Sequence, residues 1–316
     1  MIFNTVVPIP KSDFPIGYHS KILSLGSCFA VNMAAQLDYF KFKNTANPFG
    51  ILFHPLAIER LIEHAVSEKT ITQNDVFYHN ALWHSFDAHS DCSRFESDEL
   101  VCNLNAILKT ARLQIATSTH VIITLGTAWV YRHIESDVVV ANCHKVPQKQ
   151  FKKELLSIDD ISQSIEKIAA LIGQVNKTAH LIFTVSPVRH LKDGFVENQR
   201  SKSHLIAAIH QTIEKQPAVR HYFPSYEIMM DELRDYRFYA PDMIHPSPTA
   251  ITYIWERFKD TWITQVAYKT MDDVEAIQKG LAHRPFNPNS ESHLAFTSKL
   301  MDKKATLVLE YPFMKF

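Results

Sequence analysis

Two short stretches hold side chains whose types and spacing suit covalent chemistry. In KILSLGSCFA, residues 21–30, an apolar run ends at Gly26, and Ser27 and Cys28 stand side by side ahead of a second apolar run. In YAPDMIHPS, residues 239–247, Asp242 lies three residues before His245, and Pro246 follows. An acid at that distance can reach back to one imidazole nitrogen, fix the tautomer and leave the other nitrogen as a base. A thiol at the start of a helix gains from the unpaired N–H groups there, which favour the thiolate. The expected roles follow: Cys28 attacks a carbonyl, His245 takes the thiol proton, and Asp242 orients His245. Ser27 reads as a helix N-cap, with a second reading as the nucleophile itself. The plainer alternatives are an inert buried thiol at Cys28 and a loop ion pair at Asp242 and His245.

Three further segments carry candidate ligand contacts. HNALWHSFDAHSDC, residues 79–92, is metal-like in composition, with His79, His84, Asp87, His89, Asp91 and Cys92. Its spacings fit no H-x-x-x-H helical pair, so it is expected to be a polar loop lining the cleft. His84 and His89 are then substrate contacts, and no metal or cofactor is expected. NCHKVPQKQFKK, residues 142–153, gathers His144, Lys145, Lys149, Lys152 and Lys153. It reads either as a solvated face or as a site for an anionic group such as the phosphates of an acyl carrier. Arg189 and His190 follow an apolar run and are placed to touch a substrate.

These residues need a scaffold, and the hydrophobic pattern supplies one. Apolar runs at KILSLGS, THVIITLGTA (119–128), AHLIFTVSPV (179–188) and HYFPSYEIMM (221–230) read as strands. The middle two are nearly continuous, as strands covered on both faces are. Helical patterns lie between them, among them SIDDISQSIEKIAALIGQV with a cap at Ser157. Strands alternating with helices predict a three-layer α/β/α sandwich around a mainly parallel sheet. WVYRHIESDVVVANCHKVP, 129–147, interrupts the alternation as a β-hairpin excursion. The α/β domain is expected to span 1–266, with a helical extension at 267–316, two helices split by RPFNP, packed on the same domain.

Bulk properties narrow the function classes. The chain has 316 residues, 46% of them hydrophobic, and 33 basic residues balance 33 acidic ones. Zero net charge disfavours nucleic acid. No apolar run approaches the about 20 residues that span a bilayer, and the N-terminal segment lacks the pattern of a signal peptide. The four cysteines, Cys28, Cys92, Cys102 and Cys143, show no CxxC spacing. Reduced thiols in a cytoplasm are expected.

GSCFA at 26–30, NPFGILFHP at 47–55, NCHKVP at 142–147, SPVRHLKDGFVENQRSK at 186–202 and DMIHPS at 242–247 together resemble the GSCFA family, usually grouped with the SGNH or GDSL hydrolases. The resemblance runs the length of the chain. It implies a flavodoxin-like sandwich and acyl chemistry. Gly26, Ser27 and Cys28 stand where the SGNH pattern has Gly-Asp-Ser, so Cys28 takes the place of the serine nucleophile. Gly50 is the candidate for the second-block glycine. Gly126 matches the third block, but Ala128 stands at its asparagine, leaving Asn142 or Asn47 to supply an amide. The final Asp and His are matched by Asp242 and His245. The oxyanion is then expected against the N–H groups of Cys28 and Gly50, with Gly126 nearby. The implied function is hydrolysis or transfer of an ester or thioester acyl group on a small molecule or glycan. A ligand-binding protein without turnover is the alternative, favoured by the missing asparagine and opposed by the retained Asp-His pair.

Overall fold

The computed structural model describes residues 5–316; the leaderless reading of the N-terminal segment falls partly on residues 1–4, outside the described residues. Its centre is a five-stranded parallel sheet built from β1 (Lys21–Gly26), β2 (Lys43–Ala46), β5 (His120–Leu125), β9 (His180–Val185) and β10 (Arg220–Tyr222). The spatial order is β10-β9-β5-β1-β2, so the connections reverse direction between β1 and β5. In open α/β sheets ligands bind outside the carboxyl ends of the strands at such a reversal.

Strand alternation divides the core. Leu23, Leu25, Val121, Ile123, Leu125, Leu181, Phe183 and Val185 face one layer, with helices α2 (Pro55–Val66), α3 (Ser97–Thr117), α4 (Ile158–Val175) and α5 (Phe195–Lys215). Ile22, Ile122 and Ile182 face the other, with α1 (Cys28–Tyr39), α7 (Pro248–Trp262) and α8 (Tyr268–Ala282). The period of two sends neighbouring residues to opposite faces. The three-layer α/β sandwich is therefore present. α4 begins as its sequence implies, with Ser157 and Asp160 forming a reciprocal capping box.

Three segments differ from the sequence expectation. The fourth strand is only β10, because the chain turns at Pro224 into a single helical turn, α6 (Ser225–Glu227), and a π-helical stretch, Ile228–Glu232. Ile228 and Met229 are core residues from that stretch, not from a strand. The excursion is a three-stranded antiparallel sheet in the order β7-β6-β8, from β6 (Trp129–His133), β7 (Val138–Val140) and β8 (Phe151–Leu155). The polar segment before α3 is not a loop throughout: β3 (Phe77–His79) and β4 (Leu82–His84) form a hairpin whose two turn residues, Asn80 and Ala81, have φ of 46° and 62°.

The C-terminal helices complete the second layer. Met271, Val274 and Ile277 of α8 and Leu300 and Leu307 of α9 (Glu291–Glu310) join the same apolar cluster as Phe29 and Trp255. Among the described residues no helix is long and apolar enough to cross a membrane.

Candidate active site at the strand ends

The end of β1 is shaped by one glycine. Gly26 has φ of +132°, and a Cβ there would lie 2.1 Å from the Thr124 carbonyl oxygen. Only glycine fits that approach. Its N–H donates to Asn47 Oδ1 at 2.8 Å, and the Ser27 N–H donates to the Thr124 carbonyl at 3.0 Å. Ser27 is buried and caps α1, its Oγ accepting from the Phe29 N–H at 3.3 Å. Cys28 is the first residue of α1 and is half-buried. The helix end does not leave its thiol depressed, as was expected. Burial raises the thiol pKa, opposed by the N–H groups of Phe29 and Cys28 and by the Lys202 charge.

The Asp-x-x-His loop is built on backbone donors. Asp242 Oδ1 accepts the N–H groups of Ile244 at 2.9 Å and His245 at 3.0 Å, and Oδ2 meets His245 Nδ1 at 2.7 Å. Met243, at φ 57°, gives the turn its reversal. The His245 N–H leads the interactions that hold the Asp242 carboxyl down to about 2. Both side chains are 47% exposed, and His245 Nε2 makes no hydrogen bond among the described residues. The loop is docked on the segment after β9: the Arg189 N–H donates to the Ile244 carbonyl at 3.1 Å, and the Arg189 guanidinium stacks 3.9 Å above the Tyr239 ring. Beside it, Arg189, Met229, Met230, Leu233, Tyr236 and Tyr239 help line a depression of about 340 Å³.

One face of α5 ties these ends together. Asn198 Oδ1 accepts the His190 N–H at 2.8 Å. Ser201 Oγ accepts the Ala128 N–H at 2.7 Å and pairs with Thr127 Oγ1 at 2.9 Å. Lys202, 0% exposed, donates from Nζ to the carbonyls of Gly126 at 2.6 Å and Ser186 at 2.7 Å. Burial lowers its pKa to about 7. Burial also leads in lowering His190 to about 3, with the Lys202 charge and His245 adding to it. Sequence reasoning missed Lys202. The signal was a lysine at helical spacing from Asn198, Leu205 and Ile209, on the face that α5 buries.

The expected oxyanion donors are corrected in part. The Gly126 N–H is taken by the Phe53 carbonyl at 2.7 Å, and the Gly50 N–H by the Asn47 carbonyl at 2.8 Å. Asn142 turns its Oδ1 back to the His144 N–H at 2.8 Å. The Cys28 N–H is held by no carbonyl among the described residues. Asn47 Nδ2 is a buried donor without a partner, and His190 Nε2 is a buried nitrogen without one, 3.3 Å from where a Cβ on Gly126 would stand.

His84 and His144 are corrected too. Both are buried, and both ring nitrogens of each are engaged: His84 with Ser93 Oγ and the His79 carbonyl, His144 with Ser90 Oγ and the Ser85 carbonyl. They brace the hairpin and offer no free nitrogen to a substrate. His89 caps a short 3-10 turn, pairs with Asp91 at 3.1 Å and packs its Cβ against Gly50. The lysine run does not form one basic face. Alternation on β8 sends Lys152 to Glu154 at 2.9 Å, while Lys153 covers the Trp129 ring and pairs with Asp193. The Lys145 carbonyl meets the half-buried His79 at Nε2, 3.3 Å away. Among the described residues no three His, Cys, Asp or Glu side chains converge to hold a metal ion.

Comparison with known families places the chain. The family model described as the GSCFA family matches residues 21–258, from the start of β1 into α7. The chain belongs to the GSCFA family. A second model, described as the C-terminal domain of GSCFA domain proteins, matches residues 274–316 and covers most of α8 and all of α9. A search of curated proteins finds no match. The GSCFA pentapeptide itself is thus the turn from β1 into α1, with its glycine against Thr124 and its serine as the helix cap.

Proposed function

We propose that this GSCFA protein is an acyl-transfer enzyme, with Cys28 as nucleophile and His245 as the base that activates water or an acceptor hydroxyl. The observation that carries the reading is the Asp242–His245 pair: Nδ1 held at 2.7 Å, Nε2 unclaimed, in a loop docked beside the carboxyl end of β9. A carboxylate held down to about 2 stays ionised at any working pH and fixes the imidazole tautomer. The Cys28 N–H and Asn47 Nδ2 are the donors proposed for the oxyanion. The depression floored by Met229, Met230 and Leu233 suits the acyl group of a small-molecule or glycan ester or a thioester.

Incubation with a panel of activated acyl esters and thioesters, followed by peptide mapping, tests the reading. An acyl adduct on Cys28 that disappears in Cys28→Ala is expected. An adduct on Ser27, or one that survives Cys28→Ala, would overturn it. The raised thiol pKa favours a second reading, a ligand-binding protein without turnover; the same experiment then yields saturable ester binding and no adduct.

A further inference from the structure

We propose that Arg189 is an anion-recognition residue, and that the acyl group this site accepts ends in a carboxylate that Arg189 holds. The inference rests on the acyl-transfer reading for which half of the ester carries the anion, not for the capture itself. Among the described residues every arginine except Arg189 and Arg284 has a carboxylate partner. Arg284 is exposed in the turn between α8 and α9. Arg189 is half-buried and held by its face. Its guanidinium carbon lies 3.9 Å from the centre of the Tyr239 ring, 5.5 Å from that of Tyr236 and 5.8 Å from that of Phe195. Stacking on an aromatic ring occupies the face of the guanidinium and leaves its N–H edge. On that edge Nη1 has one partner among the described residues, the Met243 carbonyl at a long 3.5 Å. A planar fork with its rotamer fixed and its donors open matches the two oxygens of a carboxylate.

The depression beside Arg189 supplies the rest of the fit. Met229, Met230 and Leu233 give it an apolar lining, and Arg189, Arg234 and Asp235 are its charged residues. Arg234 pairs with Asp231 at 3.3 Å, and Asp235 pairs with Arg237 at 3.0 Å. Those charges cancel in pairs, and the positive charge left over is the stacked one. An apolar lining with one uncompensated guanidinium suits an aliphatic chain that ends in an anion. Arg189 is also tied to the proposed base. Its N–H donates to the Ile244 carbonyl at 3.1 Å, and its Nη1 reaches Met243. Those two residues are the ones between Asp242 and His245. A carboxylate on Arg189 would therefore be registered against His245, and binding energy from a remote group positions the reacting carbonyl. The depression is where the acyl group is proposed to lie, so the anion belongs to the acyl half. The substrate class is then a half-ester or half-thioester of a dicarboxylic acid.

Calorimetric titration of the wild-type protein with three small esters tests the assignment without needing turnover. Monomethyl adipate carries a carboxylate on its acyl half, and dimethyl adipate is its neutral counterpart. The butanoate ester of β-hydroxypropionate, an isomer of monomethyl adipate, carries the carboxylate on its alcohol half. Monomethyl adipate is expected to bind about tenfold or more tighter than the diester, the scale of a charge-assisted hydrogen bond, and tighter than its isomer. In Arg189→Gln the preference over the diester should vanish while diester binding holds. Arg189→Lys keeps the charge without the planar fork and should show a reduced preference. Equal binding of monomethyl and dimethyl adipate to the wild type, or binding of neither, overturns the anion assignment. A folded Arg189→Gln that keeps the preference overturns it too. Equal or tighter binding of the isomer overturns the acyl-side placement. If Arg189→Gln does not fold, Arg189→Lys decides, and an undiminished preference there overturns the bidentate hold. A Cys28 adduct from activated esters without any preference for monomethyl adipate sinks the Arg189 assignment and leaves acyl transfer standing. The preference with no Cys28 adduct does the reverse.

Discussion

The two halves of the candidate site are built on opposite principles. Around the ends of β1, β5 and β9, Lys202 is wholly and Cys28 and His190 are partly withdrawn from water, and burial moves each toward its neutral form. In the loop before α7, Asp242 and His245 stand half in solvent, and Asp242 is charged because two backbone N–H groups and the imidazole hold it so. One half sets proton affinities by desolvation, the other by hydrogen bonding. The lesson is a contrast of environments: a largely dry cluster at the strand ends and a half-exposed acid–imidazole pair in the loop before α7.

The sharpest way to break the comparison is at the wet half. Asp242→Asn keeps the loop's shape and its N–H acceptor but loses the tautomer lock, so turnover on any accepted ester should fall by about 10² to 10⁴. Circular dichroism should stay unchanged. Near-full activity in that variant would show that the wet pair is not the base.

At the turn from β1 into α1, Gly26→Ala should prevent accumulation of folded protein, because its Cβ has no room beside the Thr124 carbonyl. A soluble variant with a normal melting curve would show that this turn can shift.

Desolvation as a control of proton affinity, in His190 and in buried histidines elsewhere in the fold, can be tested by acid. Burial lowers His54, His120 and His144 to about 4, and His190 to about 3. In the unfolded chain a histidine takes its proton near 6.5. Between those values the unfolded chain binds more protons, so their contribution is complete above about 6.5 and is lost as pH falls toward 4. For a fully buried ring such as His54 that loss is on the order of 3 kcal/mol. Urea melts at pH 7 and pH 4.5 should therefore differ by several kcal/mol, and a His54→Asn variant should narrow the gap. Equal stability at the two pH values would refute the desolvation of these buried rings.

The smallest effect belongs to the cap. Ser27→Ala removes the bond to the Phe29 N–H and should cost about 1 kcal/mol. Its Cys28 modification rate should match the wild type. A large loss of modification would move Ser27 from support to chemistry.

Much of this was legible in the sequence because it depends on local rules. The apolar runs placed β1, β5 and β9, Ser157 announced α4, and the three-residue spacing of Asp242 and His245 settled that they could meet. Glycine, serine and cysteine in a row identified the family turn. Other features depended on contacts far apart in the chain. β2 is three half-exposed polar residues and an alanine, paired on a single side, so it carries no hydrophobic pattern. The oxyanion candidates changed because the Gly126 and Gly50 N–H groups meet the carbonyls of Phe53 and Asn47, and nothing in the spacing of those residues records it. The thiol moved up rather than down because desolvation, a property of everything packed around Cys28, outweighed the helix end. Lys202 became part of the site only when α5 laid it across the ends of β5 and β9, 76 residues from one carbonyl it holds and 16 from the other. Residue type and short spacing determine which groups can react; burial and long-range pairing decide their charge and their partners.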